Sequence, residues 1–438
     1  MSKKDTDNSM AGNMKINKQL KLVAGLSAVL MGLGAFPVMA QEDTSRESLE
    51  YQREMFKTYK HVEFDLGGEP SRFAWRETPA LFPHSTINHN QTRPLEAAPN
   101  KAISTWQITY DGQTMSFDDY VSRDDHIDSV MVLKDGKITY QRYKTMGPLD
   151  RHYAWSVTKV LTAAALARLE AMGEVNMQAP VKTYLPQLDG SIWGDRILQD
   201  VIDMASGIDC RDGDGYQNTE ACVYRAEESL GIVPQVRKDV PPLMELLTTM
   251  RAHRMPGEET EYTSSNTNVA GFIIEAVTNK PLSKALSDLI WQPMGAEADG
   301  MMTVNKYGEA YASGGLNARL TDIARFGSIF LDNNGPWLTM PESHLTFLKD
   351  AHRPIYSERA KENYDRLFDG DVPLHSRWQW DMIWADGDMF KGGYSGQGVY
   401  VSPKNKMVVA WFGTDDKQFG SHQLLKLARQ LSTSDVVQ

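Results

Sequence analysis

Apolar and polar positions occur in blocks whose spacing predicts both strands and helices. Two short apolar runs at residues 130–133 and 138–140 flank the turn residues Asp135 and Gly136. Asp-Gly between two strand-like runs favours a tight turn, so this region predicts a β-hairpin. The pattern changes at residues 155–172, which are apolar on nearly every side of a helical projection. A helix with that pattern is expected to be buried.

Helical and strand patterns follow one another in the rest of the chain. Residues 197–300 are mostly helical in pattern, and the last third returns to strand before a closing amphipathic helix. Strands at both ends with helices between them favour an α/β (α+β) fold, in which a sheet layer and a helical layer meet at a cleft. The individual predictions are helices near 268–277, 282–289 and 424–431, and strands at 398–402 and 407–412.

These patterns also predict how the chain is divided. Residues 41–100 combine a charged, helical start with a segment rich in Pro, His and Asn, and are expected to be an extension that wraps a domain. A sheet domain is predicted for residues 101–150 together with 305–438. A mostly helical domain is predicted for residues 151–304, inserted between the two parts of the sheet domain.

The first forty residues carry a targeting pattern. A lysine-rich segment precedes an apolar run from Leu22 to about Phe36, which ends in Val38 and Ala40 at the −3 and −1 positions. These features predict a secretory signal peptide at residues 1–40. The run is shorter than the roughly 20 apolar residues of a membrane span. The alternative to a cleaved signal peptide is an uncleaved membrane anchor. The sequence therefore predicts a periplasmic or secreted protein without a stable membrane span after cleavage.

The composition excludes several classes of protein. The 438 residues include 46 Lys and Arg against 57 Asp and Glu, and the net charge of −11 argues against nucleic-acid binding. The ten His residues show no metal-ligand spacing, which argues against a metalloenzyme. In an exported protein Cys210 and Cys222 are expected to form a disulfide, with two free thiols as the alternative. The Asp-Gly loop at residues 212–215 is interpreted as a turn.

The first candidate for catalysis is Ser156 with Lys159, at the start of the buried helix. Residues i and i+3 of a helix share a face, so the lysine amine can reach the serine hydroxyl. Lysine acts as a base only when it is neutral, and its pKa would have to fall by roughly three units from about 10.4. Burial and the positive helix N-terminus both favour that fall. The alternative is a capping serine with a surface lysine.

Two later segments add further candidates. The hydroxyl of Tyr262 can relay a proton to a leaving group, and Ser264 can bind the substrate or Lys159. Lys391 is expected to add a fixed positive charge. Gly393 is expected to let a substrate approach the strand edge, and the Tyr394 amide to join the Ser156 amide in an oxyanion hole. Taken alone, a tyrosine before a helix is most often simple packing, and the alternative for the segment around Lys391 is a glycine-rich hairpin turn.

The order Ser-Xaa-Xaa-Lys, Tyr-Xaa-Ser, Lys-Gly-Gly resembles the serine β-lactamase and penicillin-binding-protein superfamily. Segments such as residues 132–137, 203–208 and 314–318 resemble its class C-related branch, and the 6-aminohexanoate-dimer hydrolases are the most similar of its members. The resemblance covers residues 100–430. It implies a β-lactamase-like fold, an antiparallel sheet flanked by helices with an inserted helical domain. It also implies Ser156 as nucleophile, Lys159 as its base and Tyr262 as acid/base.

Two departures from the superfamily pattern bear on the substrate. Lys-Gly-Gly stands where β-lactamases have Lys-Thr-Gly, so a hydroxyl that would help to bind the lactam carboxylate is absent. Tyr-Thr-Ser stands where they have Tyr-Xaa-Asn, so an amide is absent. A buried charge short of partners costs about 1–3 kcal/mol or more. Weak or absent β-lactamase activity is therefore expected.

The sequence thus predicts an exported serine hydrolase that cleaves a small amide or ester through an acyl-enzyme, without a metal or organic cofactor. The alternatives are a D-amino-acid peptidase of the penicillin-binding type, a β-lactamase, or a non-catalytic binding protein of the same fold. A Ser-His-Asp hydrolase built on Ser395 is disfavoured, because Gln397 stands where a nucleophile elbow needs Gly. Trp378, Trp380 and Trp384 are predicted to pack beneath the cleft, and the alternative is that they line it.

Overall fold

The strands form two larger sheets and a separate two-stranded hairpin. The computed structural model describes residues 48–215, 218–331, 335–350, 356–415 and 422–437. Its strands are β1 (His84–Ile87), β2 (Gln107–Tyr110), β3 (Gln113–Ser116), β4 (Ile127–Lys134), β5 (Lys137–Tyr143), β6 (His152–Tyr153), β7 (Gly300–Thr303), β8 (Leu316–Ala318), β9 (His375–Arg377), β10 (Trp380–Ile383), β11 (Met389–Gly392), β12 (Gly398–Ser402) and β13 (Met407–Gly413).

The largest sheet contains seven antiparallel strands in the order β5-β4-β13-β12-β11-β10-β9. Its β4–β5 pair is the predicted hairpin, and the turn residues Asp135 and Gly136 have φ values of 51° and 75°. Tight hairpin turns of this kind require positive φ at both central residues. The strands predicted at 398–402 and 407–412 are present as β12 and β13. The predicted mixed fold, with an antiparallel sheet flanked by helices, is confirmed.

Helices surround the sheets and supply the second layer. They are α1 (Leu49–Thr58), α2 (Gly68–Arg76), α3 (Thr78–Leu81), α4 (Lys101–Ser104), α5 (Phe117–Arg123), α6 (Thr158–Ala171), α7 (Leu198–Ile202), α8 (Cys222–Leu230), α9 (Leu243–Leu247), α10 (Ser264–Thr278), α11 (Leu282–Leu286), α12 (Leu320–Ser328), α13 (Glu342–Leu348), α14 (Glu358–Phe368) and α15 (His422–Thr433).

Helix α6 is the buried helix that the sequence predicted. Eleven of its fourteen residues are buried, and it packs against α10 and α11. Helix α10 begins at Ser264, four residues before the predicted start near 268. The apolar pattern missed this first turn because residues 264–267 are Ser-Ser-Asn-Thr. All four are nevertheless buried.

The segment before β4 is tied into the sheet framework. Strand β1 pairs with β7, so residues 84–87 extend the four-stranded sheet β1-β7-β8-β6. The Nε of Arg72 on α2 donates to Oδ1 of Asp128 on β4 at 2.7 Å, and the Asp128 side chain is almost completely buried. A buried ion pair of this kind is costly to break, so it anchors the segment to the sheet.

The three tryptophans predicted to pack in the interior are buried. Trp378, Trp380 and Trp384 are at most 2% exposed. The predicted signal peptide at residues 1–40 lies outside the described residues. Among the residues that are described, no helix combines the length and apolar character needed to cross a bilayer.

Candidate active site

Ser156 lies in a single turn of 3-10 helix, residues 155–157, that joins β6 to α6. The preceding residue, Trp155, has φ +46°, which is unusual for a bulky side chain. Aromatic rings surround it, with centroids 5.3 Å away for Phe64, 5.8 Å for Trp75 and 5.3 Å for Tyr394. This packing holds the turn in its strained conformation and sets the position of Ser156.

The side chain of Lys159 reaches back to Ser156 from the first turn of α6. Its Nζ lies 3.0 Å from the Ser156 Oγ, 2.9 Å from the Ser264 Oγ and 2.8 Å from the carbonyl oxygen of Ser313. Lys159 has no exposed surface. Ser264 comes from the start of α10 and Ser313 from the loop before β8, so three separate parts of the chain meet at this amine.

The hydrogen-bond partners determine which hydrogens the amine can share. The Ser264 hydroxyl donates to Oδ2 of Asp212 at 2.5 Å, and the Ser264 amide donates to Oδ1 at 2.8 Å. Because a hydroxyl has one hydrogen, Ser264 can then only accept from Lys159, and the Ser313 carbonyl oxygen can only accept. A neutral amine therefore uses its two hydrogens on these acceptors. Its lone pair is left for the Ser156 hydroxyl.

The surroundings of Lys159 favour the neutral amine. Burial lowers the pKa of Lys159 to about 8. The negative charge of Asp212 opposes this shift, and the positive charge of Lys391 lowers the pKa further. The carboxyl groups of Glu227 and Asp381 raise it to a smaller extent. The base and nucleophile predicted from the sequence thus lie in contact, away from bulk water.

Tyr262 lies between the two lysines. Its ring faces both ammonium groups, at 5.1 Å for Lys159 and 4.5 Å for Lys391, and its Oη accepts from the Lys391 Nζ at 3.0 Å. Tyr262 is 37% exposed, yet the loss of water around its hydroxyl, followed by the charges of Asp381 and Asp212, raises its pKa well above the usual value. The Ser156 side chain acts in the opposite direction and lowers the pKa. The phenol keeps its proton and is available as an acid.

Lys391 on β11 is paired with a carboxylate. Its Nζ lies 2.5 Å from the Oδ1 of Asp381, and Lys391 has no exposed surface. The other oxygen, Oδ2, accepts from the Gly392 amide at 2.9 Å. The sequence analysis expected a fixed positive charge here, and the structure adds a negative charge directly beside it.

Gly393 and Tyr394 adjoin the turn at residues 155–157 that carries Ser156, here called the nucleophile turn. A Cβ at Gly393 would lie 2.7 Å from the carbonyl oxygen of Ala154 and 2.7 Å from the Gln397 Oε1. The absent side chain therefore makes room for the protein backbone, and not for a substrate as the sequence analysis expected. The Tyr394 hydroxyl donates to the carbonyl oxygen of Asp65 at 2.9 Å, so its ring is a half-buried wall of the site.

Sequence reasoning missed Asp212, which it interpreted as part of a simple turn. Cys210 and Cys222 form a disulfide, and Asp212 lies two residues after the first cysteine. Its carboxylate binds Ser264, 52 residues away in the chain. The signal available in the sequence was the disulfide itself, because a short loop closed by a disulfide can hold a carboxylate in a fixed place.

Asp381, Ser313 and Glu227 were also missed. Residues 382 and 383 on β10 pair with 390 and 389 on β11, and the same register places Asp381 opposite Lys391. A hairpin predicted around Asp386-Gly387 would have revealed this pair. Glu227 on α8 accepts from the Tyr311 hydroxyl at 2.9 Å, and burial raises its pKa to about 8. Ser313 acts through its backbone, which side-chain patterns do not reveal.

No group of three or more His, Cys, Asp or Glu side chains with metal-binding geometry occurs in the part of the chain that the structure describes. The site is built from hydroxyl, amine and carboxylate groups at the junction of α6, α10 and β11. A nucleophile in contact with a base, which other groups hold in place, is typical of covalent catalysis.

Known proteins are similar to this chain in sequence and in fold. The 6-aminohexanoate-dimer hydrolase of Paenarthrobacter ureafaciens is 29% identical over 388 residues, which cover 83% of this chain and 95% of that protein. Esterase EstB of Burkholderia gladioli is 28% identical over 194 residues, or 40% of this chain and 46% of EstB. A Bacillus anthracis structure, provisionally named a 6-aminohexanoate-dimer hydrolase, has a TM-score of 0.73 at 20% identity and covers 86% of this chain and 97% of its own.

The model of one protein family, Beta-lactamase, matches residues 123–432. The match includes the nucleophile turn, α10 and the β11 strand, and so all three motifs found in the sequence. The order of those motifs, the antiparallel sheet and the match over most of the chain agree with one another. The chain belongs to the Beta-lactamase family.

Proposed function

We propose that this protein is an exported serine hydrolase that cleaves a small amide or ester through an acyl-enzyme. The observation that carries the proposal is the contact between Ser156 and Lys159, with 3.0 Å between Oγ and Nζ. The other two acceptors around the amine leave its lone pair for the Ser156 hydroxyl. An alcohol next to a neutral, buried base is an activated nucleophile.

In the proposed first step, Lys159 takes the hydroxyl proton while the Ser156 Oγ forms a bond to the substrate carbonyl carbon. The carbonyl oxygen becomes an oxyanion, which we assign to the backbone amides of Ser156 and Tyr394. Tyr262 then donates its proton to the departing nitrogen or oxygen as the bond to the carbonyl carbon breaks. The position of its ring, 5.1 Å from the Lys159 Nζ, supports this role, because it brings the phenol close to the reacting centre.

The second step repeats the first with water as the nucleophile. Lys159 passes the proton that it took from Ser156 to Tyr262, which restores the acid, and the neutral amine can then take a proton from water. Attack on the acyl-enzyme releases the carboxylic acid and returns the proton to the Ser156 oxygen. The contacts of Tyr262 with both lysine ammonium groups support a short path for this transfer.

The substrate class is proposed from the relatives. The similar proteins include a 6-aminohexanoate-dimer hydrolase and an esterase, which act on an amide and on an ester. Both reactions pass through a tetrahedral intermediate that one oxyanion hole can hold. We therefore propose 6-aminohexanoate-dimer hydrolase-like or esterase-like activity.

A substrate panel tests this function. Purified protein is incubated with 4-nitrophenyl esters, 6-aminohexanoate oligomers and D-amino-acid amides, and intact-mass spectrometry follows a fluorophosphonate probe. We expect turnover of at least one ester or aminohexanoate oligomer and one covalent adduct, on Ser156. Turnover confined to the D-amino-acid amides would favour the peptidase alternative. The absence of both turnover and adduct in folded protein would favour a binding protein.

The pH dependence of the reaction should report the state of Lys159. Because the neutral amine is the base and its pKa is about 8, kcat/KM for an uncharged ester is expected to fall below pH 8. The fall should be about tenfold per pH unit and should level off above pH 8, as for one essential base. The measurement is kcat/KM from pH 5.5 to 9.5. A flat profile, or one that falls above pH 8, would contradict the assignment.

Glu227 provides the control for that profile, since its pKa is also about 8. Two interacting groups share their apparent pKa values, so the wild-type profile alone does not separate them. In Glu227→Gln the acid limb should remain, shifted slightly to lower pH because a negative charge that raises the pKa of Lys159 is gone. Loss of the limb in this variant would assign it to Glu227.

A further inference from the structure

We propose that Asp381 makes the site reject substrates whose leaving group carries a carboxylate close to the scissile bond. The inference rests on the proposed function, because it assumes that Tyr262 protonates the leaving group. Lys391 donates to the Tyr262 hydroxyl, so the Lys391–Asp381 pair lies on the leaving-group side of the nucleophile. The chemistry of that pair then determines which leaving groups the site accepts.

The pair is rigid. Asp381 and Lys391 lie opposite each other on the antiparallel strands β10 and β11, and their side chains meet at 2.5 Å. The second oxygen of Asp381 accepts from the Gly392 amide at 2.9 Å. The Tyr356 hydroxyl donates to the backbone oxygen of Asp381 at 2.6 Å, which holds the strand from its other side. The carboxylate therefore cannot turn away when a substrate binds.

The pair is also accessible from one member. The Lys391 side chain has no exposed surface, whereas the Asp381 side chain is 21% exposed. A ligand that approaches this point from solvent meets the carboxylate of Asp381 before the ammonium of Lys391. A substrate carboxylate within hydrogen-bond distance of the Lys391 Nζ would also lie near the Asp381 oxygens, and two like charges at such a distance repel each other.

The charges around the site add to this effect. When Lys159 is neutral, as the proposed mechanism requires, Lys391 is the remaining cation in contact with Tyr262, and Asp381 already neutralises it. The carboxylate of Asp212 lies one hydroxyl group beyond Lys159. Among the described residues, the cations in contact with Tyr262 therefore offer no uncompensated positive charge to an anionic leaving group. A repulsive element of this kind gives specificity without adding affinity for the correct substrate.

β-Lactams belong to the excluded class, because their carboxylate lies next to the lactam nitrogen that leaves. The sequence analysis expected weak lactamase activity from an absent hydroxyl and an absent amide. Asp381 supplies a separate physical reason for the same expectation. An aminohexanoate leaving group differs, because five methylene groups separate its carboxylate from the scissile bond. That carboxylate can therefore lie beyond the Lys391–Asp381 pair.

Two esters that differ only in charge test the inference. They are 3-carboxy-4-nitrophenyl butyrate, which has a carboxylate on its leaving group, and the neutral 3-carbamoyl-4-nitrophenyl butyrate. Wild type is expected to prefer the neutral ester in kcat/KM by about tenfold or more, as for like charges brought together in a binding site. Rates are corrected with the Ser156→Ala variant. Equal kcat/KM for the two esters would overturn the inference.

The Asp381→Asn variant removes the repulsion and keeps an acceptor for the Gly392 amide. In this variant, the ratio of kcat/KM for the neutral ester to kcat/KM for the anionic ester should fall to about one, chiefly because the anionic ester reacts faster. The matched control is Asp369→Asn, which removes the same charge from an exposed ion pair with Lys426 and should keep the wild-type ratio. An unchanged ratio in Asp381→Asn would contradict the role of Asp381.

If Asp381→Asn does not fold, a double variant answers the question. Asp381→Asn combined with Lys391→Met removes both members of the pair and leaves no buried ammonium without a partner. Its overall activity should fall, yet the ratio should still approach one. A ratio that stays at the wild-type value would overturn the inference. Failure of wild type to hydrolyse either ester faster than Ser156→Ala would instead count against the proposed function.

Discussion

Replacing Ser156 with alanine is expected to abolish hydrolysis, with kcat falling by about 10³-fold or more. The reason is that, among the described residues, Ser264 supplies the other hydroxyl in contact with the Lys159 amine, and that hydroxyl has a fixed acceptor. The Ser264 hydroxyl already donates to Asp212 at 2.5 Å. Removing a covalent nucleophile leaves only binding and oxyanion stabilisation, which accounts for losses of this size. The measurement is kcat and kcat/KM on the best ester of the panel.

The control for this variant is Ser395→Ala. Ser395 is buried in the turn between β11 and β12, and its carbonyl oxygen accepts from the Asp415 amide. It is the nucleophile of the rival Ser-His-Asp hypothesis, so the two variants separate the hypotheses. Ser395→Ala should keep most of the wild-type activity and should still be labelled on Ser156 by the fluorophosphonate. The reverse pattern, with Ser156→Ala active and Ser395→Ala inactive, would refute the mechanism.

The second large effect is expected for Lys159→Met, which should lose about 10³-fold or more in kcat while remaining as stable as wild type. Lys159 is buried against two hydroxyl groups and a carbonyl oxygen, and in the described part of the chain no carboxylate lies within ion-pair distance of it. Replacing a buried charge with an apolar side chain of similar size is often neutral or stabilising, by about 1–4 kcal/mol. The oxygen atoms that accepted from Lys159 are then left without a donor, which lowers the free energy of unfolding by about 1–3 kcal/mol.

These opposing terms should leave the unfolding midpoint within a few degrees of wild type. The measurements are the thermal midpoint, kcat and the rate of fluorophosphonate labelling, and the labelling should slow together with kcat. Lys426→Met is the matched control, because it removes a lysine from a surface pair with Asp369 and should change neither activity nor labelling. A Lys159→Met protein that keeps its activity would show that another group is the base.

Some features of this protein follow from segments that are close in sequence. The β4–β5 hairpin depends on Asp135 and Gly136, whose positive φ values only a few residue types adopt easily. The contact of Ser156 with Lys159 depends on helical spacing, since one turn brings residues i and i+3 to the same face. The predicted burial of α6 depends on its apolar pattern alone. These are local rules, and a single sequence is enough to apply them.

Other features of the site bring together residues that are distant in sequence. Asp212 binds Ser264 across 52 positions, and Phe64 packs on Trp155 across a separation of about 90 residues. Gly393 provides a close approach to Ala154, which was not visible from its glycine-rich segment. Residues 264–267 are polar yet buried, so a pattern of apolar positions could not predict the start of α10.

By itself, the amino-acid sequence determined which residues are candidates for the chemistry: a serine and a lysine one helical turn apart, a tyrosine, and a second lysine on a strand. The tertiary structure alone decided their charge and hydrogen-bond states. Asp212 orients the Ser264 hydroxyl, and Asp381 neutralises Lys391. The physical reason is that the pKa of an amine and the direction of its lone pair depend on the groups within a few ångströms. Folding brings those groups from distant parts of the chain.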